Sequence, residues 1–181
     1  YAGDQQAYHS YMNSMQYWGP GTIYLQDVED PFNVFIPIIY QKGAWALHML
    51  RGVIGDSLFF ESLRDYAESP ELRYGHAHTA QFQEVVENNS GLDLDYFFDQ
   101  WIYDAYFPLY GYNYTQDPGG TLSIGIYQAQ EEIYGRRPVF EMPLSILIEF
   151  ADGSDTAVVV QNNEQLQYFH FNLAKTVDDI A

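Results

Sequence analysis

The hydrophobic period of this chain changes once, near residue 108, and that change limits its possible folds more than any other feature. Before it, apolar residues recur at spacings of three and four; after it they alternate. Within residues 4–17, Tyr8, Tyr11, Met12 and Met15 form a helical stripe that Trp18-Gly19-Pro20-Gly21 ends. A second helix is expected from about Ile38, just after Pro37, to Ile54, with Gly55 as its stop. Ala44, Trp45, Ala46, Leu47, Met49, Leu50, Val53 and Ile54 make it apolar nearly all round. Such a helix is expected to be buried on most sides and to sit centrally. Asp56, Thr79 and Asp93 are candidate N-caps of three further helices. Their inner faces would carry Phe59 and Leu63, then Phe82 and Val86, then Phe97 and Trp101.

Beyond Pro108 the side chains switch to period two. Leu122, Ile124 and Ile126 alternate with Ser123 and Gly125, and Leu144, Ile146 and Ile148 alternate with their neighbours. Val158 to Val160 and Leu166 to Phe171 are further strand-like runs. Turn residues separate them at Asp117-Pro118-Gly119-Gly120, Asp152-Gly153-Ser154-Asp155 and Gln161-Asn162-Asn163, and Asp-Gly between strands signals a hairpin. Four or five antiparallel strands of this kind make a small sandwich. The expected architecture is therefore α+β, with a helical part over residues 1–108 and a β-sandwich over 109–181.

Charge excludes several classes of function. Residues 1–110 hold 15 acids and 4 bases, and residues 111–181 hold 10 and 3, giving −18 overall. An evenly acidic surface cannot read a phosphate backbone, and it disfavours anionic membranes. Apolar runs such as Val34 to Tyr40, broken by Pro37, are too short to span a bilayer. With no cysteine, disulfides and thiolate chemistry are absent. Compartment stays open.

Taken residue by residue, the chemical signals are sparse. His76-Ala77-His78 puts two imidazoles on one side of an extended segment, but no third metal ligand is near, and a surface loop is the plainer reading. His48 lies within the apolar helix and is expected to be a hydrogen-bonded core histidine. Asp27, Glu29 and Asp30 read as a solvated acidic loop rather than a calcium site. Arg136-Arg137 reads as a loop or strand-end pair. No H-E-x-x-H, nucleophile elbow or phosphate-binding glycine loop is present.

One stretch carries more. Tyr40-Gln41-Lys42-Gly43-Ala44-Trp45-Ala46-Leu47-His48-Met49-Leu50-Arg51 resembles the tyrosine helix of the gluzincin aminopeptidases, the family of aminopeptidase N and leukotriene hydrolase, whose pattern is roughly Y-x-K-G-A-x-x-L-x-M-L-R. The likeness continues in order. Ile54-Gly55-Asp56, Phe59-Phe60 and Leu63-Arg64-Asp65-Tyr66 are similar to that family's next helix. Thr79 with Phe82 and Val85-Val86 resembles its T-x-x-x-F segment, one residue shorter. Ser90-Gly91-Leu92-Asp93-Leu94 and Phe97-Phe98-Asp99-Gln100-Trp101-Ile102 resemble the end of its catalytic domain. Leu122 to Gln128 and Pro143-Leu144-Ser145-Ile146 are similar, more loosely, to the sandwich that follows. One departure is Tyr106, which stands where the family often has glycine before an aromatic-proline pair, here Phe107-Pro108.

The resemblance implies the helical C-terminal lobe of a thermolysin-like catalytic domain, followed by a β-sandwich. It implies a zinc-dependent exopeptidase that takes peptide substrates. In that family zinc is held by two histidines of H-E-x-x-H and a later glutamate, and the glutamate inside the motif is the general base. A tyrosine donates a hydrogen bond from its phenol O–H to the oxyanion, and Tyr40 matches it. The zinc motif belongs before the tyrosine, yet only 39 residues precede Tyr40 and none supplies it. With Tyr1 in place of an initiator methionine, the expectation is a piece of a longer enzyme. That piece is expected to hold no zinc, to be inactive alone, and to pair with a preceding catalytic lobe or with itself. The alternative is a catalytically dead scaffold or interaction protein of the same superfamily.

Overall fold

A computed structural model describes residues 5–17, 19–25, 31–134 and 137–181, in two compact units, Tyr1–Tyr106 and Phe107–Ala181. The first unit is helical. Helix α1 spans Gln5–Ser14, shorter than the stripe suggested. Its end tightens where Met15 N–H donates to Met12 O at 3.0 Å and Ser14 Oγ donates to Tyr11 O at 2.6 Å. Met12 is buried, whereas Tyr11, expected on the inner stripe, is exposed. Trp18 and the acidic loop Asp27, Glu29, Asp30 lie outside the described residues.

A 3₁₀ turn, Pro31–Val34, precedes helix α2, Pro37–Ile54. Proline in the first helical turn wastes no hydrogen bond there. The helix ends as Gly55 N–H donates to Arg51 O at 2.9 Å. Its buried residues are Ile38, Lys42, Ala46, Leu50 and Ile54, a stripe that recurs every four residues. The breadth of the apolar surface promised burial on most sides, and the structure corrects this. A helix face is buried only where another element covers it, and here Tyr40 and Leu47 stay 54% and 41% exposed.

Each expected N-cap is displaced by one residue. Helix α3, Asp56–Glu68, starts directly from Gly55, so Asp56 is its first residue rather than its cap. The Asp56 carboxylate instead accepts Arg51 Nε at 2.7 Å and Nη2 at 2.6 Å, still favourable beside a helix N-terminus. Helix α4, Thr79–Ser90, is capped by His78, whose backbone N–H donates to Gln81 Oε1 at 3.0 Å. Helix α5, Asp95–Phe98, runs on into a π turn, Asp99–Tyr103, closed by Asp104 N–H to Asp99 O at 2.9 Å. Asp93 contributes by accepting the Asp95 N–H at 3.1 Å. Helices α3 and α4 are joined by Asn89 Nδ2, which donates to Ser62 Oγ at 3.3 Å and to Asp65 Oδ2 at 2.9 Å. Rings of Tyr66, Phe82, Phe98, Phe97 and Trp101 form a run of contacts 5.1–6.2 Å apart that holds α5 to them.

The second unit is a sandwich of two three-stranded antiparallel sheets. Strands β1 (Tyr110–Gln116), β2 (Thr121–Gln128) and β5 (Leu166–Asn172) form one sheet in the order β1-β2-β5. Strands β3 (Met142–Phe150), β4 (Asp155–Asn162) and β6 (Val177–Ile180) form the other, in the order β4-β3-β6. A short helix α6, Gln130–Tyr134, lies between β2 and β3. The inward halves of the two alternating runs, Leu122, Ile124, Ile126, Ile146 and Ile148, pack with Phe150, Val160 and Ile180 as the core. Among the described residues there are six strands where four or five were expected; β1 and β6 are the additions. They hold each other by side chains. Tyr112 Oη donates to Ile180 O at 3.0 Å and Tyr114 Oη to Asp178 O at 3.1 Å, while Gln116 Oε1 accepts the Val177 N–H at 2.9 Å.

At the other end of the core a buried amide network pins the long β2–β3 connection. Gln128 Nε2 donates to Phe140 O at 2.8 Å and to Asn162 Oδ1, while its Oε1 accepts Phe140 N–H at 2.8 Å. Gln130 Nε2 donates to Gln128 Oε1 at 2.8 Å and to Pro138 O at 2.7 Å. Buried amides with these partners cost little and fix one loop conformation.

Candidate functional site

Ile36 approaches α2 in extended conformation (φ −108°, ψ 153°), and Pro37 starts the helix without a side-chain cap. Tyr40 therefore falls in the first turn, where a side chain projects from the helix start. It is exposed, and its hydroxyl has no hydrogen-bond partner among the described residues. A phenol in that state has its O–H free to donate a hydrogen bond to a ligand.

Two positions on, Lys42 points the other way. It is buried in the α2 stripe, and its Nζ donates to Asp104 O at 2.7 Å and Gly21 O at 3.3 Å. Burial pushes its pKa down to about 8, against a smaller upward pull from the Asp104 carboxylate. The two carbonyls belong to segments that are themselves tied together, because Thr22 Oγ1 donates to Ile102 O. Tyr24 and Tyr103 add an edge-on ring contact at 5.1 Å. Membership in the motif does not by itself reveal the burial of Lys42. The available signal was its place in the every-fourth-residue stripe with Ile38 and Ala46.

Half-way along α2, His48 meets helix α1. Tyr8 Oη lies 2.7 Å from His48 Nδ1, and the rings of His9 and Trp45 lie 6.1 and 5.3 Å from the imidazole. Arg51 stands over the Tyr8 and Phe60 rings at 5.1 and 5.2 Å. Burial, then His9 and Arg51, lowers the His48 pKa. The histidine expected here is hydrogen-bonded, but it is half-buried and not part of the core. The Trp45 indole N–H is buried without a partner among the described residues.

The remaining candidates are plain. His76 and His78 are exposed in the loop before α4, and His170 pairs with Ser123 Oγ at 2.9 Å on the sandwich surface. Arg136 lies outside the described residues; Arg137 offers its carbonyl to Gln130 Nε2 at 3.5 Å. Tyr106, noted as a departure, has φ +71°, the left-handed region where glycine fits without cost.

For a metal, the described residues offer one group of three or more candidate ligands: Glu87, Asp93 and Asp95, whose carboxylate oxygens lie within 4.8 Å of one another. It has no imidazole. Its oxygens already accept Gln83 Nε2 (2.7 Å at Asp95) and the Leu94 N–H (2.9 Å at Glu87). An all-carboxylate, hydrogen-bonded set of this kind does not fit a catalytic zinc ion. Among the described residues, no helix is long and apolar enough to cross a membrane.

Comparison with known proteins identifies the family. Residues 3–101 match the Peptidase family M1 domain. Aminopeptidase N of Lactococcus lactis subsp. lactis is 27% identical over 108 residues, 60% of this chain and 12% of that protein. Mitochondrial aminopeptidase 2 of Saccharomyces cerevisiae is 20% identical over 156 residues, 85% of this chain and 16% of its own length. The crystal structure of Legionella pneumophila aminopeptidase A in complex with aspartic acid superposes with a TM-score of 0.64 at 18% identity, covering 84% of this chain and 17% of that one. The chain thus spans between about an eighth and a sixth of the relatives it matches. With more than half of its length matched by the family, the chain belongs to peptidase family M1.

Proposed function

We propose that this chain is part of a zinc-dependent aminopeptidase that removes N-terminal residues from peptides. In this reading residues 1–108 are the C-terminal helices of the catalytic domain, and residues 109–181 are the sandwich that follows. Tyr40 is the catalytic residue of this part, donating its phenol O–H to the oxyanion that forms as water attacks the scissile carbonyl. The observation that carries the proposal is the state of that phenol: exposed, without a hydrogen-bond partner among the described residues, and placed in the first turn of α2, within the twelve-residue resemblance. Zinc, where bound by the whole enzyme, supplies polarisation of the carbonyl and activation of water.

Tyr40 has two tasks there. It must reach the oxyanion, and it must be held before the charge develops, since a preorganised donor adds no reorganisation cost at the moment of reaction. The preceding catalytic lobe is the natural partner for the exposed Tyr40 and Leu47 face of α2. The test is hydrolysis of fluorogenic aminoacyl amides by the full-length protein, with and without a zinc chelator. Turnover abolished by chelation and restored by zinc is expected, with none from residues 1–181 alone. Hydrolysis by the isolated chain, or indifference to chelation, would contradict the proposal.

A further inference from the structure

We propose that Lys42 is a positioning residue for Tyr40, acting as a brace that fixes the first turn of α2. The proposal rests on the reading of Tyr40 as oxyanion donor.

Stability alone is a poor reason for a lysine at this place. Its neighbours in the buried stripe are Ile38, Ala46 and Leu50, and desolvating an ammonium costs several kcal/mol. The groups that offset this cost are two backbone carbonyls, Asp104 O and Gly21 O. A methionine would fill similar space without the desolvation cost. What methionine cannot do is tie three segments together.

The N-terminal turn of α2 has unusual need of a tie. Ile36 provides no side-chain cap, and no acidic residue stands in the first turn to complement the helix dipole. Helix starts of that kind fray unless tertiary contacts hold them. Two contacts do so here. The Ile38 side chain packs against Gly21, where a Cβ would come within 3.0 Å of Ile38 Cδ1. Lys42, one turn further, grips the carbonyl of the same Gly21 and that of Asp104. Thr22 closes the triangle by donating to Ile102 O. The segment around residues 21–22, the exit of the π turn at 102–104 and α2 are thus one knot. Tyr40 lies between Ile38 and Lys42, so rotation or fraying of this turn swings the phenol directly. A displacement of about 1 Å at a catalytic group can cost on the order of 10²-fold in rate.

The test is a double-mutant cycle in the full-length enzyme. Lys42→Met is expected to lower kcat by about 10- to 100-fold with KM within about twofold, because the loss falls on the transition state. In a Tyr40→Phe background the same change is expected to cost less than about twofold, since no phenol is left to misplace. Thr22→Val removes the third side of the knot without touching the buried stripe. It is expected to cost several-fold in kcat and likewise nothing in the Tyr40→Phe background, and it decides the matter if Lys42→Met does not fold. Equal losses in both backgrounds, or wild-type kcat in both single variants, overturn the brace. Wild-type turnover by Tyr40→Phe itself overturns the oxyanion reading beneath it.

Discussion

Tyr8 Oη sits 2.7 Å from His48 Nδ1, joining α1 to the middle of α2 through one polar contact among aromatic rings. The surroundings favour the neutral imidazole. Burial is the largest cause, followed by the charges of His9 and Arg51, and all lower the His48 pKa from 6.5. The unfolded chain therefore binds this proton more readily than the folded one, and stability is lost as pH falls below about 6.5. Chemical unfolding of the wild type and His48→Phe at pH 7.5 and 5.5 checks this. The stability advantage of the wild type is expected to shrink at the lower pH; a difference independent of pH contradicts the assignment.

Lys42 gives a signature of the same sign at alkaline pH. Its pKa is about 8 in the folded chain against 10.5 unfolded. Between these values the unfolded state holds the extra proton, so stability rises with pH across that window. The gain is up to about 3 kcal/mol from this group. Lys42→Met removes that rise and leaves stability near pH 7 unchanged or slightly higher. Parallel stability curves for the two proteins between pH 8 and 10.5 would show that the lysine is not desolvated.

Two hairpin glycines separate backbone freedom from space. Gly153 and Gly120 both have positive φ, +81° and +89°. A Cβ at Gly153 meets nothing within 4 Å, whereas one at Gly120 collides with the Leu173 carbonyl oxygen. Gly153→Ala is expected to cost about 1 kcal/mol, from strain alone. Gly120→Ala adds overpacking and is expected to cost about 2–4 kcal/mol. Equal melting shifts for the two variants would contradict the close approach of Leu173.

The sandwich core was legible because its chemistry is periodic: Leu122, Ile124, Ile126 and Ile146, Ile148 alternate, and Asp152-Gly153 marks the hairpin between β3 and β4. Strand β1 was not, because Tyr110 and Tyr112 are exposed, and Tyr112 and Tyr114 are satisfied across the sandwich edge by β6. Such a pairing leaves no apolar pattern along the strand. The π turn after Phe98 had no local signal either, since it depends on where Gln100 and Trp101 find burial. In α2 the apolar residues outnumber those the described chain covers, so composition overstated burial and left Tyr40 exposed. Tyr40 was visible only through its neighbours in the motif. Lys42 shows why the rest was hidden: its role depends on Gly21 and Asp104, 21 and 62 residues away.

Tyr40→Phe in the full-length enzyme tests the central claim most directly, because it removes one hydroxyl from an exposed position and leaves the α2 stripe intact. Steady-state hydrolysis of an aminoacyl amide is expected to show kcat lowered by about 10²–10³, the usual cost of one oxyanion donor. KM and bound zinc are expected to change little. Turnover at the wild-type rate would contradict the assignment of Tyr40.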